Sequence, residues 1–589
     1  MLSLGLTFGT LPILIPSMYV FGSVFLCSGI ITKFIVNKFM INFSFRAFHN
    51  LKKINFFLIL LYTLIIFGAF NSSHGKNTNF NYNAKNISSY FSSLVSFDDN
   101  DYFKSKEFFE NIKDNKKYES KHSSKHIQAL IILNNYIEAE KYSKNLEKKN
   151  KSNFESNLIL GLSYLKENNS SKAKKYFDQI GQNNEHLMVS EVLKITLKKW
   201  SEIDEEGISS IENIPSRYNN FKKIQKVLAA CHLDLVNTDE FFYEILEDKK
   251  ENYSRYYFFL INHLIEKKDV SEANKIIKIS SKKYPKNLLI NQLKKTLAER
   301  KNNLNYFSCK NRNHIIAEIF YVIANALSVQ GNYDLSNFYV NLAKYFNPKF
   351  LSYNSLLAEN YLNLKKYEKA KKIYRKLSNI GSVYKWHSDR QIAFILDIQD
   401  KKQEAIALLN DSFKNINPDV YQTYDFANFL KNRKKYEKSI KLYSDILLKI
   451  KKNHKLYPKI LDSRGTAYER INELKLSEKD LLMSLEILPD QPYVMNYLAY
   501  SWLENGKNFV KALDMLKDAN ELKKQDGYIT DSLGWALYKL NRFEEAKEYL
   551  KLAIILMPSD PIVNDHFADC LWKNNEKIQA RYYWNYVLK

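Results

Sequence analysis

The sequence predicts an all-α fold, a solenoid of paired helices, and three observations predict it. Glycine and proline contribute only 15 and 11 of the 589 residues, against roughly 12% of an average protein, which favours helices joined by short turns. Apolar residues recur at the i, i+4, i+7 spacing of one helix face. That pattern itself returns about every 34 residues, the length of one helix pair in several repeat architectures.

The clearest copy of the repeating pattern lies between Gly527 and Asp560. Small or apolar residues mark one face of each of its two predicted helices, in the order Leu533, Gly534, Leu537, Ala546, Leu550 and Ala553. The small residues Gly534 and Ala546 indicate where the two helices approach most closely. Pro558 ends the second helix, because proline cannot continue it.

The same frame divides the chain into five segments. They are a leader at 1–70, a helical or degenerate repeat at 71–119, repeats at 120–187, degenerate helical repeats at 188–316 that include one regular copy at 254–287, and a regular array of eight repeats at 317–589. Each repeat is expected to contribute two antiparallel helices that bury their apolar faces against their neighbours.

Two apolar stretches dominate the leader, residues 1–32, which carry no charge, and residues 54–70. The basic loop between them contains five Lys or Arg residues and no acidic one. Two interpretations stay open: two membrane spans, or translation from Met40 followed by a signal peptide or membrane anchor. Both place the residues after 71 outside the cytoplasm, since a basic loop stays inside. We therefore expect an exported protein of the cell envelope, periplasmic or anchored to the membrane through its N-terminal segments.

The charge of the chain is strongly basic, with 88 Lys and Arg residues, 64 Asp and Glu residues and a formal net charge of +24. A basic balance of this size raises nucleic acid as a partner. The basic residues are spread along the chain, however, whereas nucleic-acid binding needs them clustered on one face or arm. We therefore expect no nucleic-acid partner.

The sequence offers little chemistry for a catalytic, cofactor or metal site. The four cysteines stand far apart without a C-x-x-C pair, which predicts neither a zinc knuckle nor a disulfide framework, and Cys570 has the spacing of a core residue. The sequence contains no phosphate-binding loop and no nucleophile motif. We expect no enzyme, no cofactor, no metal and no small-molecule substrate.

Two histidine patterns are candidate sites. His122 and His126 have the i, i+4 spacing of two metal ligands, but the surrounding Lys and Ser residues favour a solvated turn. His566 follows Asp565, yet adjacent residues of a helix point about 100° apart. The two side chains are therefore not expected to form an acid–base pair.

The repeating frame resembles that of the tetratricopeptide repeat, most strongly over residues 317–589. The segments PDQPYVMNYLAYSWLENG, DGYITDSLGWALYKL and VNDHFADCLWKNNEKIQARYYW are similar to the last repeats of exported alphaproteobacterial tetratricopeptide proteins of unassigned activity. The resemblance implies a right-handed α-solenoid and export from the cytoplasm. It implies no reaction mechanism.

The resemblance also implies a binding groove, because the first helix of each tetratricopeptide repeat lines the concave side of the array. The residues at its inward positions include Tyr421, Tyr424, Tyr493, Asn496, Tyr500, Tyr528, Trp535, Tyr538 and Trp572. Rigid aromatic rings with a few hydrogen-bonding groups suit an extended protein segment. Two alternatives stay open: tyrosine is common throughout, with 41 residues, and Trp535, Trp572 and Trp584 could instead belong to the core.

These observations together predict a non-catalytic scaffold of the bacterial cell envelope that holds a protein partner in its groove. The alternative is a structural or assembly factor for an outer-membrane or polysaccharide export machine. The sequence identifies no particular partner for either role.

Overall fold

The computed structural model describes residues 84–112, 119–181, 187–248, 252–299 and 306–588. Within these ranges every regular element is a helix and no strand is present, which confirms the all-α prediction for this part of the chain. The apolar segments predicted within residues 1–70 lie outside the described residues. Of the helices described, none combines the length and the apolar character needed to cross a bilayer.

The helices of the first half are numbered from α1 in chain order. They are α1 Ala84–Asp98, α2 Tyr102–Glu110, α3 Glu119–Ile132, α4 Tyr136–Lys148, α5 Phe154–Lys166, α6 Ser170–Asp178, α7 Leu187–Glu206, α8 Ser209–Glu212, α9 Asn219–His232, α10 Thr238–Glu247, α11 Tyr256–Glu266, α12 Val270–Lys283, α13 Leu288–Ala298, α14 Arg312–Val329 and α15 Tyr333–Phe346. A short 3-10 helix at Ser216–Tyr218 precedes α9.

The remaining helices form a regular series of pairs. They are α16 Tyr353–Asn363, α17 Tyr367–Leu377, α18 Ser382–Ile398, α19 Lys402–Asn415, α20 Val420–Lys431, α21 Tyr436–Lys449, α22 Tyr457–Glu469, α23 Leu474–Ile487, α24 Pro492–Glu504, α25 Phe509–Leu522, α26 Gly527–Lys539, α27 Phe543–Leu556, α28 Pro561–Lys573 and α29 Lys577–Val587, with a 3-10 helix at Ser378–Ile380.

These helices belong to two compact units. Of the described residues, those within Met1–Ile277 and Asn303–Asn360 form the amino-terminal unit. Those within Lys278–Asn302 and Tyr361–Lys589 form the carboxy-terminal unit. The partition follows the packing rather than the chain order, because α13 lies in the carboxy-terminal unit. There it packs on α18, and Gln292 accepts a hydrogen bond from the backbone N–H of Val383 at 3.1 Å.

The turns and caps of the last repeats fix where their helices begin and end. Between the two helices of a pair, Asn541 and Asn575 adopt left-handed φ values of 61° and 63°, which asparagine tolerates better than most residues. The first helices of the last two pairs, α26 and α28, carry aspartate N-caps. Asp526 and Asp560 accept hydrogen bonds from backbone N–H groups of the first turn. Pro561 occupies the first turn of α28, where its missing N–H has no cost.

In two helix pairs, α22 with α23 and α26 with α27, the helices approach closely at the positions that the sequence predicts. A Cβ atom added at Gly534 would lie 2.6 Å from Cγ of Leu550, and one added at Gly465 would lie 3.0 Å from Cγ of Leu481. Ala546 is fully buried at the same contact. Small residues at these positions therefore set the distance between the paired helices.

A larger residue at position 546 is expected to loosen the last repeats. Ala546→Leu adds three carbon atoms to a filled contact and should destabilise the array by about 1–3 kcal/mol. Because each repeat stabilises mainly its neighbours, the loss of hydrogen-exchange protection should concentrate in residues 527–588. Glu548→Leu, at an exposed position of the same helix, is the matched control and should leave protection unchanged. Equal protection in both variants would contradict the helix register described here.

The structure overturns the expectation of a solvated turn at His122 and His126. Both histidines lie on α3 and are buried. The Phe109 ring is 4.6 Å from the His122 ring and 5.1 Å from the His126 ring, and Tyr142 is 4.7 Å from His126. The aromatic residues of α1, α2 and α4 cover this face of α3, which the short polar segment around the histidines does not reveal.

A buried ion pair lies in the core of the amino-terminal unit. Arg255, just before α11, donates two hydrogen bonds to the carboxylate of Glu318 on α14, at 2.6 and 2.8 Å. The guanidinium also lies 4.0 Å from the centre of the Tyr321 ring, and the Tyr353 hydroxyl is 3.5 Å from the same carboxylate. This fully enclosed pair joins two helices that are distant in the sequence.

Two of the four cysteines are also brought together, contrary to the expectation from their spacing. Cys231 at the end of α9 and Cys309 before α14 form a disulfide across a separation of 78 residues, with their Cα atoms 5.7 Å apart. That distance falls within the range of protein disulfides. Cys570 is a free, buried cysteine, in agreement with its predicted place in the core.

Candidate partner-binding face

The candidate site lies on the first helices of the last three repeats. Helix α26 contacts α24 on one side and α28 on the other, so the three helices form one continuous surface, which we call the first-helix face. The aspartate caps described above fix the starts of α26 and α28, and α24 begins with Pro492 in its first turn. Seven of the nine predicted site residues belong to these three helices.

The second residue of each of these helices forms an exposed apolar row. Tyr493, Tyr528 and Ile562 have exposed fractions of 54%, 58% and 57%. The Tyr493 hydroxyl donates a 2.9 Å hydrogen bond to Asp526, and Lys523 Nζ lies 4.0 Å from its ring centre. Large apolar side chains exposed in adjacent repeats are the feature expected of a docking surface.

A stack of three rings lies at the centre of the first-helix face. The Trp535 ring is nearly parallel to the His566 ring at 4.0 Å and to the Tyr538 ring at 4.7 Å. His566 Nδ1 is 2.9 Å from a carboxylate oxygen of Asp531, and Trp535 Nε1 donates a 2.8 Å hydrogen bond to Glu504. Side chains of α24, α26 and α28 thus hold one another in fixed orientations.

Trp535 is not a freely exposed contact residue. Its exposed fraction is only 7%, and it packs with the interhelix core of these repeats. Trp584, predicted as core, is half-buried, and its ring centre is 5.4 Å from that of Trp572. Trp535 therefore supports the face, whereas the exposed row and the half-buried rings beside it offer the contact area.

Three further predicted residues are half-buried on the same face. They are Asn496, Tyr500 and Trp572. Burial, with the nearby carboxylates of Glu504 and Asp531, raises the pKa of Tyr500 to about 12, so this residue presents a neutral hydroxyl. The side-chain oxygen of Asn496 is buried and has no hydrogen-bond partner among the described residues.

Tyr421 and Tyr424 lie on α20, apart from the ring stack. The Tyr424 hydroxyl is 3.3 Å from Ser463 Oγ on α22, and its ring centre is 6.1 Å from that of Tyr443. Burial raises the pKa of Tyr421. These two tyrosines belong to an earlier repeat of the same unit, and the structure does not bring them into contact with the first-helix face.

The sequence reasoning missed two residues of this face, His566 and Glu504. His566 pairs with Asp531 of the preceding repeat and not with its neighbour Asp565, and the two paired residues are 35 positions apart. That separation is close to one repeat length of about 34 residues. Pairing polar residues at this spacing would have predicted the contact.

The comparisons with known proteins agree with the helix pairs. The tetratricopeptide repeat family matches residues 351–380 and 532–558. A tetratricopeptide repeat-containing protein of Pseudomonas aeruginosa, PA4667, is 28% identical over 116 residues, which cover 19% of this chain and 20% of that protein. The human Cell division cycle protein 16 homolog is 29% identical over 104 residues, covering 16% and 17% of the two chains. The chain thus spans about a fifth of the length of these curated relatives.

Solved structures show weaker likeness. MamA from Desulfovibrio magneticus RS-1 is similar over 29% of this chain and 96% of its own, with 16% identity and a TM-score of 0.26. The tetratricopeptide repeats are identified without help from this solved structure. They are identified from the repeating frame, the close contacts at Gly465 and Gly534, and the family match. On these grounds the chain contains tetratricopeptide repeats.

Proposed function

We propose that the chain is a non-catalytic scaffold that binds an extended segment of a protein partner on its first-helix face. The observation that carries the proposal is the row of Tyr493, Tyr528 and Ile562, each more than half exposed at the same position of successive helices. Tetratricopeptide repeats generally bind protein partners, and a row with the spacing of the repeats matches a ligand that extends along the array.

The surroundings of this row support contact with a peptide. Tyrosine and tryptophan supply large contact area at a low cost in side-chain entropy. The ring stack of His566, Trp535 and Tyr538 holds part of that area in place before binding, which reduces the entropy lost on association. Polar groups at the edge of the face, among them Asn496 and the exposed Asp565, can pair with the backbone of an extended segment.

Loss of the exposed row is expected to weaken binding without unfolding the array. Peptides selected from a displayed random library against the full chain should bind the Tyr493→Ala and Tyr528→Ala variants about 5- to 30-fold more weakly, the effect of removing an interface anchor of 1–2 kcal/mol. Tyr582→Ala is the matched control, because Tyr582 is 69% exposed on the second helix α29. Equal losses in all three variants, or selected peptides that none of them affects, would refute the proposed face.

We further propose that the scaffold works in the cell envelope and is tethered or exported through residues 1–70. Support comes from the two apolar stretches and the basic loop between them, since such a loop stays in the cytoplasm. A phosphatase reporter that is active only outside the cytoplasm, fused after Asn100, should be active. A fluorescent reporter that folds only inside the cytoplasm, fused at the same residue, is the matched control and should stay dark. The reverse pattern would contradict export.

A further inference from the structure

Three metal-binding side chains meet in the interior of the amino-terminal unit. Cys231 ends α9, His263 lies on α11 and Cys309 precedes α14, and all three are buried. His263 Nδ1 is 3.3 Å from Cys231 Sγ, and the two sulfur atoms and this nitrogen lie within 4.8 Å of one another. We propose that the reduced form of this cluster binds one zinc ion through the two thiolates and Nδ1 of His263.

The geometry is close to that of two ligands on one tetrahedral zinc ion. Zinc binds sulfur at about 2.3 Å and histidine nitrogen at about 2.0–2.1 Å, so two such ligands lie about 3.6 Å apart. The observed distance between Cys231 Sγ and His263 Nδ1 is 3.3 Å. Thiolate and imidazole ligands select zinc over magnesium or calcium. Two thiolates also cancel the ion's charge, which lowers the cost of burying it.

A carboxylate lies beside the nitrogen of His263 that faces away from the proposed zinc ion. Asp239 Oδ1 on α10 is 3.0 Å from His263 Nε2, and the other oxygen of Asp239 is 3.0 Å from Lys267 Nζ. Carboxylates beside the far nitrogen of a ligating histidine keep the proton on that nitrogen and direct the near one at the metal. The 3.0 Å separation gives Asp239 the place of a positioning residue, which would leave Nδ1 free as a ligand once Nε2 donates to its carboxylate.

The segment that carries Cys309 is held in place independently of the sulfur bond. His232 Nδ1 lies 3.1 Å from the carbonyl oxygen of Cys309. On the carboxyl side, Lys310 pairs with Asp234, and Arg312 Nη1 lies 3.0 Å from a carboxylate oxygen of Asp204. Reduction of the disulfide would therefore leave Cys309 beside Cys231 and His263.

The disulfide and the zinc site are alternative states of the same cysteine pair. A phosphine reductant and one water molecule supply the two electrons and two protons that convert the disulfide into two thiols, and the phosphine becomes its oxide. Each thiol then loses its proton on binding the metal. The disulfide is expected in an oxidising compartment and the thiols in a reducing one, so the redox state of the compartment determines which form is present.

The test uses the full chain, reduced with a phosphine under anaerobic conditions and freed of metal. Cobalt, which reports thiolate ligands through its absorption spectrum, should bind at one equivalent and be displaced by zinc. Asp239→Asn should raise the zinc dissociation constant by about 10- to 100-fold, and His263→Ala by at least as much. Cys570→Ser is the matched control, since Cys570 is the free buried cysteine of the other unit, and it should bind as the wild type does.

The circular dichroism spectrum of each reduced variant shows whether it is folded, so loss of binding can be separated from loss of structure. Folded, reduced wild type that binds zinc no more tightly than the Cys231→Ser/Cys309→Ser double variant would overturn the proposal. The pair would then be a structural disulfide only.

Discussion

Replacing Arg255 with methionine is expected to destabilise the amino-terminal unit by about 3–5 kcal/mol. The substitution leaves the carboxylate of Glu318 fully enclosed and without its two hydrogen bonds. Burial already raises the pKa of Glu318, and the charge of Arg255 opposes that rise. Without Arg255, the carboxyl group must either take up a proton or remain as an unpaired buried charge, and both outcomes cost free energy.

Hydrogen exchange of α11 and α14 in the full chain measures this effect, because the pair joins these two elements. The Arg255→Met/Glu318→Leu double variant is the control, since replacing both charges with apolar side chains is often close to neutral. It should recover most of the protection. If the double variant is as unstable as Arg255→Met, then lost packing rather than the unpaired charge explains the loss.

Mild acid is expected to destabilise α3 and the helices around it. Burial lowers the pKa of His122 to about 4, and burial together with His122 and Lys106 lowers that of His126 to about 3. A histidine whose folded pKa lies below its unfolded value of about 6.5 contributes stability above pH 6.5 and loses it as the pH falls. At pH 5 each histidine should lower the free energy of unfolding by about 2 kcal/mol, and the two together should lower it by about 4 kcal/mol.

Urea unfolding at pH 7 and pH 5, followed with a fluorescent label placed on α3, measures this loss. Most carboxylates stay ionised in that interval, so the histidines dominate the change. The His122→Leu/His126→Leu double variant keeps apolar bulk at both positions and should depend less on pH than the wild type. Burial also lowers the pKa of His263 and His314 in the same unit, and these two histidines account for the dependence that remains. A wild-type unfolding midpoint that does not move between the two pH values would contradict the burial of the histidines.

The sequence predicts the repeat architecture because that architecture depends on local spacing. The small residues at Gly534 and Ala546 and the proline after α27 recur with the period of the repeat, and the structure places them at the predicted helix contacts and ends. Packing between neighbouring repeats follows from the same period. The existence and type of these helices could therefore be predicted without any information on long-range contacts.

Two of the contacts that the sequence did not predict join positions roughly two repeat lengths apart, where one repeat is about 34 residues. Cys231 and Cys309 are 78 residues apart, and Arg255 and Glu318 are 63 apart. The burial of His122 depends on rings from neighbouring helices rather than on its polar neighbours in the sequence. Single-sequence patterns carry no signal for such contacts, because each depends on how helices of different repeats pack on one another.

The candidate site could be predicted from the sequence only in part. Its positions follow from the repeat frame, but the frame does not distinguish exposed residues from buried ones. Tyr528 and Trp535 occupy the same helix and are both aromatic, yet one is exposed and the other is fixed between His566 and Tyr538. The depth of each side chain depends on the residues of the two neighbouring first helices, and this information appears only in the folded array.

Site-specific photocrosslinking in living cells tests the central claim, that the first-helix face binds a protein partner. A photoreactive phenylalanine analogue replaces Tyr528 in one full-length variant and Tyr582 in the matched control. We expect one defined protein adduct from position 528 and no such adduct from position 582. The adduct from position 528 should be lost when Tyr493→Ala is added. Identical adducts from positions 528 and 582, or no adduct from position 528, would contradict this claim.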